Sequence, residues 1–434
     1  MNALRSRATR RTLLVTGAAL TAAIVLAGCG RASETGGTSA TVTIDDEPAT
    51  GTIEFWAGGA DGEALPDFLA EFQEENPDVE INVTTIPEGD NDAKLSAAIA
   101  AGNVPDMVYL YSQTQAAMLD TGAFAEVPDG LVESADFFSS MWDTVQYDGA
   151  AHAVPWYTYA QALYYRKDLA AAAGVEAPET WEDYATFSEA VQDQGATFGV
   201  GLSAEWDGYT AQQFNDFVRQ AGGSLISDDL TEWTIDTPEN LEALETYAGL
   251  VTDGYASPDG PSFLDTVSWF TSGEIASYIN GPWFPGWLEE ANGEGWNEDN
   301  LGIALVPAGP AGTTSALGGG SLAVLEDGKN TEAAWKLVRW LSEPDTQVAW
   351  YETFGNLPAV EAAWDAPAIA DDPLLDVIKE AIPLAGSVPA VPGWSEVSAM
   401  LGAEMERVAR GQATAAEVLA AAQAKADEIP TGVE

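Results

Sequence analysis

Between Thr52 and Leu110 the chain passes from strand to helix pattern and back twice, and that order constrains its fold more than any other feature. Thr52-Ile53-Glu54-Phe55-Trp56 reads as a strand, and Leu65, Phe68, Leu69 and Phe72 then recur at helical spacing. Glu80 to Ile86 alternates, with Ile81, Val83 and Thr85 on one face; a helix is expected from about Asp92 to Ala101, and Met107-Val108-Tyr109-Leu110 is a short buried strand. A βαβαβ order implies a mostly parallel sheet covered by helices. Right-handed crossovers put the strand C-termini on one edge, and the loops leaving that edge are where open α/β sheets bind ligands.

A second unit opens after Pro155. Leu163-Tyr164-Tyr165 ends a strand, Thr180 with Asp183 three residues on marks a helix start, and Phe198-Gly199-Val200-Gly201-Leu202 reads as another strand. Thr237-Pro238-Glu239 opens a helix, since Pro tolerates the first turn and Glu suits its dipole. A strand over Leu301 to Val306 precedes Gly318-Gly319-Gly320; a helix with Ala334, Leu337, Val338 and Leu341 on one face follows, and Thr414 with Glu417 forms a capping box for the last helix. In 434 residues, 46% of them hydrophobic, two globular domains with real cores are expected.

At the N-terminus, Arg5, Arg7, Arg10 and Arg11 precede an apolar stretch from Leu13 to Leu26 that is too short for a membrane span. Leu26-Ala27-Gly28-Cys29 resembles a bacterial lipobox, in which the cysteine is lipidated and becomes the new N-terminus. Residues 1–28 therefore read as a lipoprotein signal peptide and 29–50, rich in Ser, Thr, Gly and acids, as a flexible tether. The expected location is the outer face of the cytoplasmic membrane, with Cys29 as the lipid anchor.

Sixteen basic against 69 acidic residues give a formal net charge of −53, a field that repels nucleic acid and anionic headgroups. The acids are spread along the chain and read as a solvated surface. Cys29 is the only cysteine, so no intrachain disulfide forms, and His152 is the only histidine. No cofactor and no His/Cys zinc site is expected; an oxygen-ligand calcium site is left open by the acids. A Ser-His-Asp triad would have to run through His152, which lies in a turn before Pro155 and reads as a surface or hinge residue.

Fifteen tryptophans, 13 tyrosines and 14 phenylalanines are present, many in clusters beside Gly and Pro such as Trp156-Tyr157-Thr158-Tyr159 and Pro282-Trp283-Phe284-Pro285-Gly286-Trp287. Clusters of this kind line clefts more often than cores. Several strings occur in a telling order: Phe55-Trp56-Ala57-Gly58-Gly59; Phe72-Gln73-Glu74-Glu75-Asn76-Pro77-Asp78-Val79; Ala100-Ala101-Gly102-Asn103-Val104-Pro105-Asp106; Leu163-Tyr164-Tyr165-Arg166-Lys167-Asp168; Phe270-Thr271-Ser272-Gly273-Glu274 running to Asn280-Gly281-Pro282-Trp283; and Gly318-Gly319-Gly320-Ser321-Leu322 before Ala334-Trp335-Lys336. This ordered set resembles the extracellular solute-binding proteins of carbohydrate ABC importers, the maltose-binding-protein-like group, over nearly all of the chain from about Gly51.

The resemblance implies an α/β, two-lobed periplasmic-binding-protein fold with a hinge and an interlobe ligand cleft. It puts 51–154 and 313–356 in lobe one and 155–312 and 357–434 in lobe two, with hinge crossings near Pro155 and Pro358. It implies a monomer that captures a di- or oligosaccharide and hands it to ABC permease subunits, with no catalytic residue. A sugar offers apolar C–H faces and a rim of hydroxyls, so its cleft needs aromatic faces, carboxylates and amides. Trp283 sits in the Gly-Pro-Trp turn that matches a stacking position, Tyr159 on the first hinge segment, and Trp394 at a late aromatic of lobe two. Asp61, Asp90, Ser112 and Gln113 lie in loops after lobe-one strands; Trp206 and Asn215 lie where related proteins contact sugar; Gly319 and Gly320 either let backbone amides approach the ligand or shape a turn. Where the family often has an aromatic this chain has Glu88, and where it has an Asp this chain has Ala93. Two other readings suit an aromatic cleft with carboxylates: a secreted glycoside hydrolase or lyase, and a sugar-sensing receptor component.

Overall fold

The computed structural model describes residues 44–87, 90–262 and 265–433. Cys29 and the signal stretch lie outside the described residues. The strands are β1 (Gly51–Gly58), β2 (Val79–Ile86), β3 (Met107–Tyr111), β4 (Gln146–Tyr147), β5 (Ala150–Ala151), β6 (Val154–Ala160), β7 (Ala162–Arg166), β8 (Ser277–Asn280), β9 (Leu301–Ala304), β10 (Leu317–Val324) and β11 (Leu357–Pro358).

The larger sheet has the order β11-β6-β10-β3-β1-β2. β1 runs parallel to β2 and β3, as the βαβαβ pattern requires, whereas β10 is antiparallel to both β3 and β6. Ile53, Phe55 and Ala57 alternate into a core shared with Leu65, Phe72, Met107, Tyr109 and Trp335. Asp106, from the Val-Pro-Asp string, is the buried tie of this sheet: it accepts from the Glu54 N–H at 2.8 Å and from the Asn330 N–H at 2.7 Å. Such charge-assisted bonds to backbone donors are among the stronger ones a fold can use.

The smaller sheet, β8-β7-β9, is antiparallel throughout. The expected strand over Phe198 to Leu202 is reduced to two isolated parallel bridges, Phe198 to Ile275 and Gly201 to Tyr278, because Val200 between them donates to the Tyr255 carbonyl at 3.0 Å. Helices Gly208–Gln220, Pro238–Thr252, Trp394–Ala409 and Ala415–Ala426 build a separate core around Phe214, Phe217, Tyr247, Leu401 and Leu419. Thr237 caps its helix through the Asn240 N–H, and Thr414 with Glu417 makes the full capping box.

Two expected boundaries shift. Pro155 falls inside β6, which belongs to the larger sheet, and the chain changes sheet at Gln161. Proline has no N–H to donate, and β6 accommodates it with a register shift opposite Gly320 and Ser321. Pro358 likewise lies in β11, paired with Tyr157 of the same sheet. Residues 44–50, expected to end a free tether, are held on the lobe of the larger sheet: Ile44 and Ala49 are buried in its core, Lys336 Nζ lies 2.6 Å from Asp45, and Arg339 lies 3.3 Å from Asp46.

Candidate functional site

A cavity of about 420 Å³ opens where β6 leaves the larger sheet for the smaller one. Aromatic rings from both sheets meet there. Tyr157 and Tyr159, two apart on β6, share a face, while Trp156 points into the core beside Trp350 at 4.6 Å. Trp283, at the start of the helix Phe284–Asn292, presents its ring edge-on to Tyr159 at 4.8 Å. The turn into it needs Gly281, since a Cβ there would stand 2.3 Å from the indole.

Gly318, Gly319 and Gly320 do not form a turn. They are consecutive residues of β10 facing Tyr159, Thr158 and Tyr157 of β6. A Cβ on Gly318 would stand 1.9 Å from the Tyr159 ring, and one on Gly319, whose φ is +110°, would stand 2.2 Å from the Tyr157 carbonyl oxygen. Gly318 is bare so that the Tyr159 ring can lie across the strand, and Gly319 lets the Tyr157–Thr158 backbone approach. Gly320 serves packing of the same kind, against the Leu110 carbonyl and the Tyr109 ring, and does not line the cavity.

The polar lining is Asp92, Gln113, Thr114, Thr158 and Asn356, with Tyr111 and the β6 tyrosines; neither Lys nor Arg is part of it. Two enclosed polar atoms of lining residues take no hydrogen bond, the acceptor Asp92 Oδ1 and the donor Trp283 Nε1. Asp61, in the first turn of the helix Gly59–Phe68, stands behind this lining: it accepts from the Tyr157 hydroxyl at 2.9 Å and from Asn356 Nδ2 at 2.8 Å. Burial first, and the Asp61 charge second, push the Tyr157 hydroxyl well above the usual tyrosine range, so it stays a donor.

Of the residues expected from sequence, the cavity brings together Gln113, Tyr159, Trp283 and Gly319, with Asp61 one contact behind. Ser112 is buried at the end of β3, where its N–H pairs with the Gly319 carbonyl and its hydroxyl takes no partner. Trp206 and Trp394 lie elsewhere, packed on the helical core of lobe two; the Trp206 indole donates to the Pro258 carbonyl at 3.1 Å, a core anchor and not a stacking face. Asn215 is buried within the helix Gly208–Gln220, and exposed Asp90 precedes the helix Asn91–Ala101. Neither lines the cavity. Sequence reasoning missed Asp92, Tyr111, Thr114 and Asn356. Asp92 had a signal: the resemblance places an acid at Ala93, one position on.

A model of the bacterial extracellular solute-binding proteins matches residues 67–377, and the chain belongs to that family. The putative ABC transporter periplasmic-binding protein YcjN of Escherichia coli is 22% identical over 406 residues, covering 87% of this chain and 92% of that one. The sugar-binding protein MalE of Xanthomonas citri superposes with a TM-score of 0.80 at 26% identity, covering 87% of this chain and 97% of that one. The GacH receptor of Streptomyces glaucescens, solved unliganded and with acarbose, superposes with a TM-score of 0.74 at 25% identity, covering 89% of this chain and all of that one. The fold is the two-lobed one of these proteins, and the family the chain belongs to is one of extracellular solute-binding proteins rather than of enzymes. No helix among the described residues is long and apolar enough to cross a membrane.

Proposed function

We propose that the cavity between the sheets captures a di- or oligosaccharide, and that the protein carries it, held at the membrane by a lipid on Cys29, to the permease of an ABC importer. The observation that carries this reading is the lining itself. Tyr111, Tyr157, Tyr159 and Trp283 offer apolar faces to sugar C–H groups, while Asp92, Gln113 and Thr114 bring polar side chains for its hydroxyls to the same wall. A volume of about 420 Å³ falls within the range of ~300–1,000 Å³ usual for small-molecule sites. The similarity to proteins described as sugar-binding, or as complexed with acarbose, supports the same class. A lining without Lys or Arg suits an uncharged ligand and disfavours acidic sugars.

A thermal-shift screen over common disaccharides and their acidic derivatives tests this. A ligand at a hundredfold excess over Kd stabilises the folded state by about 2.7 kcal/mol, so a neutral saccharide should raise the melting temperature and its uronic counterpart should not. No shift with any saccharide would refute the reading. The anchor is tested apart from it: Cys29→Ala should release a folded, sugar-binding protein from the membrane fraction, and retention after a salt wash would remove the lipid from the account.

A further inference from the structure

A second cavity of about 360 Å³ lies against the first and shares five wall residues with it, Pro282, Trp283, Gly355, Asn356 and Leu357. Its chemistry is different. The walls that it does not share include Tyr164, Tyr351, Phe354, Leu374, Leu375 and Ile378. Its one carboxylate, Asp372, caps the helix Pro373–Ala381 through Oδ1, which accepts the Leu374 N–H at 2.9 Å. Asn356 gives one N–H to Asp61 at 2.8 Å, and the hydroxyls of Tyr164 and Tyr351 are further side-chain polar groups of this wall.

We propose that this second cavity receives an apolar substituent, an aryl or short alkyl aglycone, carried by the saccharide whose sugar rings occupy the first. The inference rests on the saccharide reading above. A further sugar ring would turn hydroxyls on every side against walls built mostly of ring faces and aliphatic side chains, and each hydroxyl left unpaired on burial costs affinity. An apolar group needs no such partners and gains by leaving water. Phe354 fits the same account: it is 38% exposed, one of two large apolar side chains exposed to that degree among the described residues, and it forms part of this wall. Trp283 is common to both cavities, so one indole would hold the sugar and border the aglycone.

Gly286 provides a test that spares the fold. It is an exposed helical residue in the cavity wall, and a Cβ built on it meets no atom within 4 Å, so Gly286→Leu adds bulk there without moving backbone. Calorimetric titration would compare maltose, cellobiose and lactose with their 4-nitrophenyl glycosides in both anomers and with the matching trisaccharides. The expected result is at least tenfold tighter binding of an aryl glycoside than of its parent disaccharide, a gain lost in Gly286→Leu and reduced in Phe354→Ser while the parent binds as before. Equal or weaker binding of the aryl glycosides would overturn the proposal and leave the saccharide reading standing. So would a gain for the trisaccharide that Gly286→Leu removes, since a sugar would then fill the second cavity. If no saccharide and no glycoside binds, both readings fail together.

Discussion

At the scale of the residue, Trp283 and Asp216 are the most exposed to test. Trp283 touches Tyr159 and Trp287 and borders both cavities, so Trp283→Ala removes a stacking face from a site without displacing a sheet. Loss of a buried anchoring aromatic commonly costs at least ~2 kcal/mol, or some thirtyfold in affinity. Titration of the variant should show that loss with a nearly unchanged ligand-free melt; lost stability with normal affinity would make Trp283 a packing residue. Asp216 is fully buried in the helix Gly208–Gln220, and burial pushes its carboxyl up to about 8, against the opposing pull of Arg219 and of the Ala316 N–H. Its unfolded value is ~3.9. The folded state therefore binds the proton more tightly, and its contribution to stability is complete below about pH 4 and is lost as pH rises towards about 8. Asn mimics the protonated form and keeps an acceptor for Ala316. Asp216→Asn should thus melt higher than the parent at pH 8, by a margin that shrinks towards pH 4; a margin independent of pH would refute the burial of a neutral acid. Single residues were also where the sequence misled most. Trp206 and Trp283 look alike in a string of letters, each in a loop before a helix. Only packing shows that one indole bonds a core carbonyl and the other faces a cavity.

At the scale of the element, local rules served well and long-range ones were hidden. The capping box at Thr414, the Thr237 cap and the Thr180–Asp183 contacts at 2.8–2.9 Å were legible because each is settled within four residues. The place of β10 was not, because its neighbours, β3 and β6, come from far earlier in the chain and only pairing reveals that its glycines face the tyrosines. For the same reason the crossing expected near Pro155 lies at Gln161 in the sheet pattern: proline looks like a boundary, yet a register shift absorbs it within β6. The strings behind the family resemblance proved mostly scaffold. Asn76 accepts the Ala49 N–H at 2.7 Å, Asp106 ties β1 to the Asn330 backbone, and Arg166 binds Asp168 and the Phe270 carbonyl. Such strings identify the fold and leave the ligand to the loops between them. β10 itself predicts that Gly319→Ala is costly. The position has a φ of +110° and no room beside the Tyr157 carbonyl, so the substitution should destabilise by about 1–3 kcal/mol and lower the melting temperature. An unchanged melt would mean that β6 and β10 yield more easily than their spacing allows.

At the scale of the molecule, charge and hinge set the behaviour. A formal charge of −53 repels itself in the folded state, and salt screens that repulsion over a Debye length of ~10 Å at 0.1 M. The melting temperature should therefore rise from 20 mM to about 1 M NaCl before any specific salt effect enters, and a flat response would show the acids already neutralised by their neighbours. The second consequence concerns motion. Two stretches connect the sheets, Gln161 between β6 and β7 and residues 305–316 between β9 and β10, and beyond β11 the chain crosses a third time to the helices packed with the smaller sheet. The stretch 305–316 is gripped from lobe two, where Gln220 Nε2 donates to the Thr314 carbonyl at 2.8 Å and Asp216 accepts the Ala316 N–H. We propose that closure of the lobes would pivot on the residues around Gln161 and Leu317, beside the cavity, together with the crossing beyond β11. A ligand that touches Tyr159 and Gln113 on one side and Trp283 on the other favours the state in which both can reach it, and it shifts the population only by that difference in affinity. Small-angle scattering should then show a smaller radius of gyration with a saturating saccharide. Trp283→Ala, which removes the main contact from lobe two, should blunt the change even at concentrations that fill the site. A full contraction in that variant would place the closing contact elsewhere, and an unchanged profile in the parent protein would mean a site complete before the sugar arrives.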